Sequence, residues 1–266
     1  MPTVHSGDAE IVYEVVGQGP PVLLLHPFPA DRALWLPAAQ ALIHDYRVIL
    51  PDLRGHGDSG VGEGAATMEK HATDLVRVLD DAGVGRVAIA GVSIGGYVFF
   101  EFWRRYRGRV AGVLLCDTKA QADTAEGRAA RLKAAADVIE HGTEPFIESM
   151  IPKLLGKTTL NTRPDLVDGA RRMMLKMTPT GISAVQKGMA ERPDSVGTLK
   201  TINVPTLVIV GDEDILTNVA DAELMRQNIQ GSELKVITRA GHYAVWEQPE
   251  AVGTLVRQFL DSAGAR

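Results

Sequence analysis

The chain predicts an α/β fold: a mostly parallel central sheet flanked by helices, with a helical insertion. Three observations lead there. Short apolar runs alternate with helix-period segments, the pattern of parallel strands covered on both faces. The strand runs vanish between about residues 119 and 198, where helical periodicity takes over. Finally, Gly91-Val92-Ser93-Ile94-Gly95, with Gly96 behind it, joins the apolar run Val87–Ala90 to a helical stretch from Tyr97 to about Tyr106. A serine between close glycines on a strand-to-helix turn is a nucleophile elbow. Small flanking residues let strand and helix approach, and the hydroxyl stands clear of the sheet edge.

The elements follow in order. Strands are expected at Ile11–Val15, Val22–Leu25 and Arg47–Leu50, with a helical stretch near Trp35–Ile43. Asp74–Ala82 reads as helix, with Leu75, Val78 and Leu79 on one face. The elbow and its helix precede the strand Val110–Leu115. Within the insertion, Leu132, Ala136 and Ile139 share one face of a helix that stops at Gly142. Phe146, Ile147, Met150, Ile151 and Leu154 form a second stripe, and Leu166, Ala170, Met173, Met174 and Met177 a third. Thr178-Pro179 is an N-cap with proline at N1, leading into Ile182, Val185 and Met189. Strands resume at Thr206–Val210 and Leu234–Ile237, and a last helix runs from Pro249 to Leu260. Gly60–Ala66 is a loop, and the last few residues are expected to fray.

Composition narrows the classes. With 266 residues, 45% hydrophobic and 23% charged, the chain is long enough for a large core. A net charge of −5 leaves no electrostatic footprint for nucleic acid and no basic tract for an anionic membrane. Met1–Val16 has no apolar h-region, and no run approaches transmembrane length. Cys116, the only cysteine, ends an apolar strand and reads as an inert buried thiol. These features predict a cytoplasmic protein.

A serine hydroxyl needs a base with a pKa near neutrality, which points to histidine. Of the seven histidines, His242 follows the strand Leu234–Ile237, at the carboxyl edge beside the elbow. His5, His44, His71 and His141 read as solvated surface. The imidazole needs a carboxylate to hold its tautomer. Gly211-Asp212-Glu213-Asp214 follows Thr206–Val210, and Asp214, furthest along the loop, is the chosen acid. Asp117, after the preceding strand, is its competitor. An oxyanion requires two donors. One is the Ile94 amide, after the serine. The other is Phe28 in His26-Pro27-Phe28-Pro29, where neither proline has an N–H. His26 reads as a structural ring tying loops together. Asp52–Ser59, with Asp58 and His56, reads as support. Trp35 and Tyr243 are candidate pocket residues by their closeness to these motifs.

Together these motifs resemble the α/β-hydrolase family across nearly the whole chain. The resemblance implies an α/β-hydrolase fold with core segments 1–118 and 199–266 and a helical cap at 119–198. It gives Ser93 as nucleophile, Asp214 as acid and His242 as base, with the Phe28 and Ile94 amides as oxyanion donors. Pro27 stands where many members carry glycine, which leaves the Phe28 amide in place. Within the family, the Pro-Phe-Pro loop, Gly-Asp-Glu-Asp and Arg192-Pro193-Asp194 look like bacterial carboxylesterases and 3-oxoadipate enol-lactonases. Serine at position 93 sets the chain apart from epoxide hydrolases and haloalkane dehalogenases, which carry aspartate there.

The chain lacks the Lys-Ser/Thr ending of a phosphate loop and a dinucleotide fingerprint, and its histidines are scattered, so no cofactor and no metal are expected. The leading expectation is a serine hydrolase of small carboxylic esters or lactones, working through an acyl-enzyme. The same triad with peroxide or alcohol gives a perhydrolase or acyltransferase, and with diketones a C–C bond hydrolase. From another class, a hydrolase-fold ligand receptor is the competing reading. Five of the eight methionines lie in the insertion: Met150, Met173, Met174, Met177 and Met189. Helical core is the preferred account of them over a deformable pocket roof. An anionic lactone would need cations, and Lys153, Lys157, Arg163, Arg171, Arg172 and Lys176 stand in the insertion, where most such residues face water.

Overall fold

A computed structural model describes residues 1–263. The frayed end expected of the last residues therefore concerns 264–266, outside the described residues. The strands are β1 (Thr3–Ser6), β2 (Ala9–Val16), β3 (Pro21–Leu25), β4 (Arg47–Pro51), β5 (Val87–Val92), β6 (Val110–Cys116), β7 (Thr206–Gly211) and β8 (Glu233–Ile237). They form one sheet in the order β1-β2-β4-β3-β5-β6-β7-β8. β1 and β2 pair antiparallel, as do β2 and β4, and every later pairing is parallel. β5 and β7 are buried along their whole length, as strands covered on both faces must be.

The helices are α1 (Leu36–Ala39), α2 (Met68–Asp81), α3 (Ile94–Tyr106), α4 (Ala125–His141), α5 (Thr143–Leu154), α6 (Lys157–Thr162), α7 (Pro164–Met174), α8 (Pro179–Ala190), α9 (Val196–Leu199), α10 (Val219–Asn228), α11 (Ala244–Glu247) and α12 (Pro249–Ser262). α2 packs on α3, α1 on α12, and α10 on β7 and β8. Among the described residues no helix is long and apolar enough to cross a membrane.

Three local expectations are corrected. α2 begins six residues before Asp74, because the Thr67 hydroxyl caps it by accepting from the Lys70 amide. His71 thereby falls on the inner face of α2 and is fully buried, whereas His5, His44 and His141 are exposed. In α4 the stripe Leu132, Ala136 and Ile139 faces outward, with Leu132 and Ile139 44% and 55% exposed. The buried residues are Ala135 and Val138, because α4 lies against α8 with its small side chains inward.

Candidate active site

Loops leaving the carboxyl ends of five strands open on one cavity of about 620 Å³. Phe28 comes from the loop after β3, Ser93 follows β5, Lys119 follows β6, Leu216 and Thr217 follow β7, and His242 follows β8. α4, α5 and α8 close the other side with Val138, Phe146, Met150 and Met189. This is the crevice at which parallel sheets hold ligands.

Ser93 caps α3 with φ +53° and ψ −113°, a left-handed backbone that a non-glycine residue adopts at a cost of about 1–3 kcal/mol. The surroundings enforce it. Its amide donates to the Cys116 and Asp117 carbonyls at 3.1 and 3.0 Å, and the Thr118 hydroxyl donates to its carbonyl at 2.7 Å. Glycine is required at both flanks. A Cβ on Gly91 would lie 2.5 Å from the Gly95 carbonyl carbon, and one on Gly95 would lie 2.8 Å from the Leu25 oxygen.

His242 Nδ1 lies 2.8 Å from Asp214 Oδ2. An ionised carboxylate only accepts, so the ring proton sits on Nδ1 and Nε2 is left as an acceptor. The Thr217 hydroxyl donates to the same Asp214 oxygen at 2.6 Å, and the Leu216 and Thr217 amides donate to Oδ1 at 2.8 and 3.0 Å. Burial would raise the Asp214 carboxyl, but the His242 charge and these donors outweigh it and hold it below its ordinary value. Ser93 and His242 line the same cavity, without a direct side-chain hydrogen bond between them among the described residues.

Asp117 goes elsewhere. Its Oδ1 accepts from the Gly211 amide at 2.8 Å and its Oδ2 is buried without a partner among the described residues. Burial and the neighbouring Asp214 charge push its carboxyl well above the ordinary range. It ties β6 to the end of β7, while its carbonyl supports the elbow.

Ile94 is the first residue of α3, so its amide has no carbonyl one turn earlier in the helix. The Phe28 ring lines the cavity, and the Phe28-Pro29 peptide is cis. His26 Nε2 accepts from the Leu53 amide at 2.8 Å and Nδ1 donates to the Pro27 carbonyl at 2.9 Å, joining the loops after β3 and β4. Burial keeps this ring neutral by lowering its pKa. Asp52 holds the second loop by accepting from Arg32 and from the Asp58 amide.

Trp35 and Tyr243 do not line the cavity. Trp35 is fully buried and its indole donates to the Leu25 carbonyl at 3.0 Å. Tyr243 is fully buried, with its hydroxyl on the Phe28 carbonyl at 3.3 Å. Both brace the β3 loop from inside. Of the insertion methionines, Met150 and Met189 reach the cavity, and Met173, Met174 and Met177 pack in the core. Of the insertion cations considered above, only Lys153 lines it; Lys176 instead pairs with Asp31 at 2.8 Å and Arg171 with Glu148 at 2.7 Å. Residues that sequence reasoning missed include Thr217, Lys119, Arg131, Tyr97 and Gln186. Two of these carried a signal. Thr217 stands three residues past Asp214, and Lys119 two past Asp117, both at the carboxyl edge where the other motifs gather.

Known proteins share this architecture. A thermophilic esterase from Thermogutta terrifontis, solved with malate bound, is 40% identical with a TM-score of 0.95, covering 98% of each chain. The 3-oxoadipate enol-lactonase 1 of Acinetobacter baylyi is 26% identical over 91% of this chain and 89% of its own. An N-acyl homoserine lactone degrading enzyme is 26% identical with a TM-score of 0.83, covering 97% of this chain and 100% of its own. The model of the alpha/beta hydrolase fold family spans residues 20–249, from β3 through the His242 loop, and the chain belongs to that family.

Proposed function

We propose that this protein is a serine hydrolase of small carboxylic esters or lactones. The observation that carries the reading is the His242–Asp214 bond of 2.8 Å, which orients Nε2 as a base in the cavity that Ser93 shares. Ser93 Oγ attacks the carbonyl as His242 Nε2 takes its proton, and the Ile94 and Phe28 amides receive the oxyanion. The imidazolium then protonates the leaving alcohol, and the acyl group stays on Ser93. His242 next takes a proton from water, which attacks the ester to release the acid and restore Ser93. The likeness to an esterase and to an enol-lactonase supports this bond class. Phe28, Phe146, Met150 and Leu154 give the cavity an apolar wall suited to a short acyl or alkyl chain.

The test is steady-state hydrolysis of p-nitrophenyl acetate, butyrate and octanoate beside 3-oxoadipate enol-lactone, with Ser93→Ala as control. Turnover of at least one substrate class, abolished in Ser93→Ala, is expected. Full turnover in Ser93→Ala contradicts the mechanism.

A further inference from the structure

The chain as a whole is acidic, at −5, yet its cavity is basic. Lys119, Arg131, Lys133 and Lys153 line it against one carboxylate, Asp137. Two of these cations are neutralised nearby. Lys133 pairs with Asp137 at 2.6 Å, and Arg131 Nε donates to Asp123 at 2.5 Å. Asp123 is already shared, because Arg192 makes two bonds to it at 2.6 and 2.8 Å. Asp123 thus lies between two guanidinium groups, and the Asp194 charge also acts on Arg192. Arg131 is held toward the cavity by Gln186 Oε1 at 3.1 Å, and Arg192 stacks over the Tyr97 ring at 4.3 Å.

Lys119 differs from the rest. It is half-buried, whereas Lys133 and Lys153 are exposed at the rim. No protein acceptor or carboxylate pairs with its ammonium group among the described residues. The residue before it, Thr118, bonds the Ser93 carbonyl, so Lys119 springs from the segment that backs the elbow. A cation partly removed from water and without a counter-charge is a poor contributor to stability. It is well placed to meet an anion, since a cleft with low-dielectric walls focuses the field of its charges.

We infer that the site takes esters or lactones carrying a free carboxylate remote from the scissile carbonyl, and that Lys119 selects for it. This rests on the hydrolase reading and adds a substrate class to it. The compact ammonium, with three donors on a flexible stem, accommodates carboxylates at more than one chain length.

The test compares monomethyl glutarate and monomethyl adipate with methyl pentanoate, in the wild type, Lys119→Met and Lys119→Arg. The ratio of kcat/KM values is read within each protein, so a general change in activity cancels. The wild type is expected to favour the acid esters at least tenfold. Lys119→Met is expected to reduce that ratio about tenfold, mainly through KM, and Lys119→Arg to retain most of it. A wild-type preference for methyl pentanoate, or an unchanged ratio in Lys119→Met, overturns the inference. Failure of the hydrolase reading looks different: no Ser93-dependent turnover of any of the p-nitrophenyl esters or of 3-oxoadipate enol-lactone. In that event calorimetry of monomethyl glutarate binding to Ser93→Ala still decides. Affinity weakened tenfold by adding Lys119→Met supports the carboxylate site, and absent or unchanged binding removes it.

Discussion

Asp214 and His242 meet through Oδ2 and Nδ1 at 2.8 Å, and the Thr217 hydroxyl donates to that same carboxylate oxygen at 2.6 Å. With two amides on Oδ1, the carboxylate is saturated with donors and locked in place. The imidazole has one orientation as a result, and its free nitrogen belongs to the cavity. In Asp214→Asn the carbonyl oxygen stays with the Leu216 and Thr217 amides, so an NH2 donor replaces the oxygen that faces His242 Nδ1 and favours the wrong tautomer; kcat for ester hydrolysis should fall roughly 10⁴-fold at neutral pH. Asp117→Asn keeps an oxygen for the Gly211 amide and removes no contact to His242, so its loss should stay within about tenfold. Steady-state kinetics of the two variants separates the acids. The reverse order would transfer the role to Asp117.

Thr217 is the second test of this constellation. Thr217→Val keeps the shape and deletes the hydroxyl that donates to Asp214. One hydrogen bond to a charged group contributes about 1.5 kcal/mol, so kcat/KM should drop about tenfold. Thr217→Ser should recover most of it. Equal rates in Thr217→Val and wild type would make the hydroxyl irrelevant.

The elbow predicts a stability effect. Gly95→Ala would set a methyl group 2.8 Å from the Leu25 oxygen, in backbone that cannot swing aside. Overpacking of this kind costs about 1–3 kcal/mol. Thermal denaturation should show Tm lower by roughly 2–10 °C, since each kcal/mol moves a chain of this size a few degrees. An unchanged Tm would show the turn to be looser than its geometry indicates.

His71 predicts a pH effect. Both its ring nitrogens are buried without partners among the described residues. Burial, then the Arg54, His26 and Lys70 charges, pull its pKa from 6.5 down to about 3. Above the ordinary value the ring is neutral in the folded and the unfolded chain. Below it the unfolded chain takes up a proton that the folded chain refuses until about pH 3, so stability falls as pH drops through that window. The loss from this ring at pH 5 is about 2 kcal/mol. His56 is shifted the same way by burial, then by the His26 and His71 charges. Denaturation of His71→Leu at pH 5 and pH 8 should show the variant gaining on the wild type at the lower pH. A parallel offset at both values would contradict the buried neutral ring.

Much of this was legible in the chain. Parallel strands buried on both faces are near-continuous apolar runs, and every loop at their carboxyl edge carried a marked residue. Hence Ser93, Asp214, His242, Phe28 and Ile94 could be proposed as site residues before any coordinates, and the structure brings Asp214 to His242 and Ser93, His242 and Phe28 to one cavity. Asp214 is preferred to Asp117 in the sequence only for its place along the loop, because both end strands at the same edge; the turn through Leu216 and Thr217 is what brings Asp214 to His242. Closeness in sequence misled for Trp35 and Tyr243, which leave the same loops in the opposite direction, into the core. Apolarity misled for α4, where Ala135 and Val138 permit close approach to α8 while the larger Leu132 and Ile139 face outward. The cavity cations were hidden because a lysine after a strand reads as solvated surface until the helices of residues 125–190 fold over it.

The most direct measurement is peptide mass mapping after reaction with one equivalent of a p-nitrophenyl alkylphosphonate, a tetrahedral mimic of the acyl-transfer intermediate. The account predicts stoichiometric release of p-nitrophenol with the phosphonyl group on the peptide containing Ser93, and no label in Ser93→Ala. Label on another residue, or an unlabelled Ser93 in a protein that still turns over esters, would contradict it.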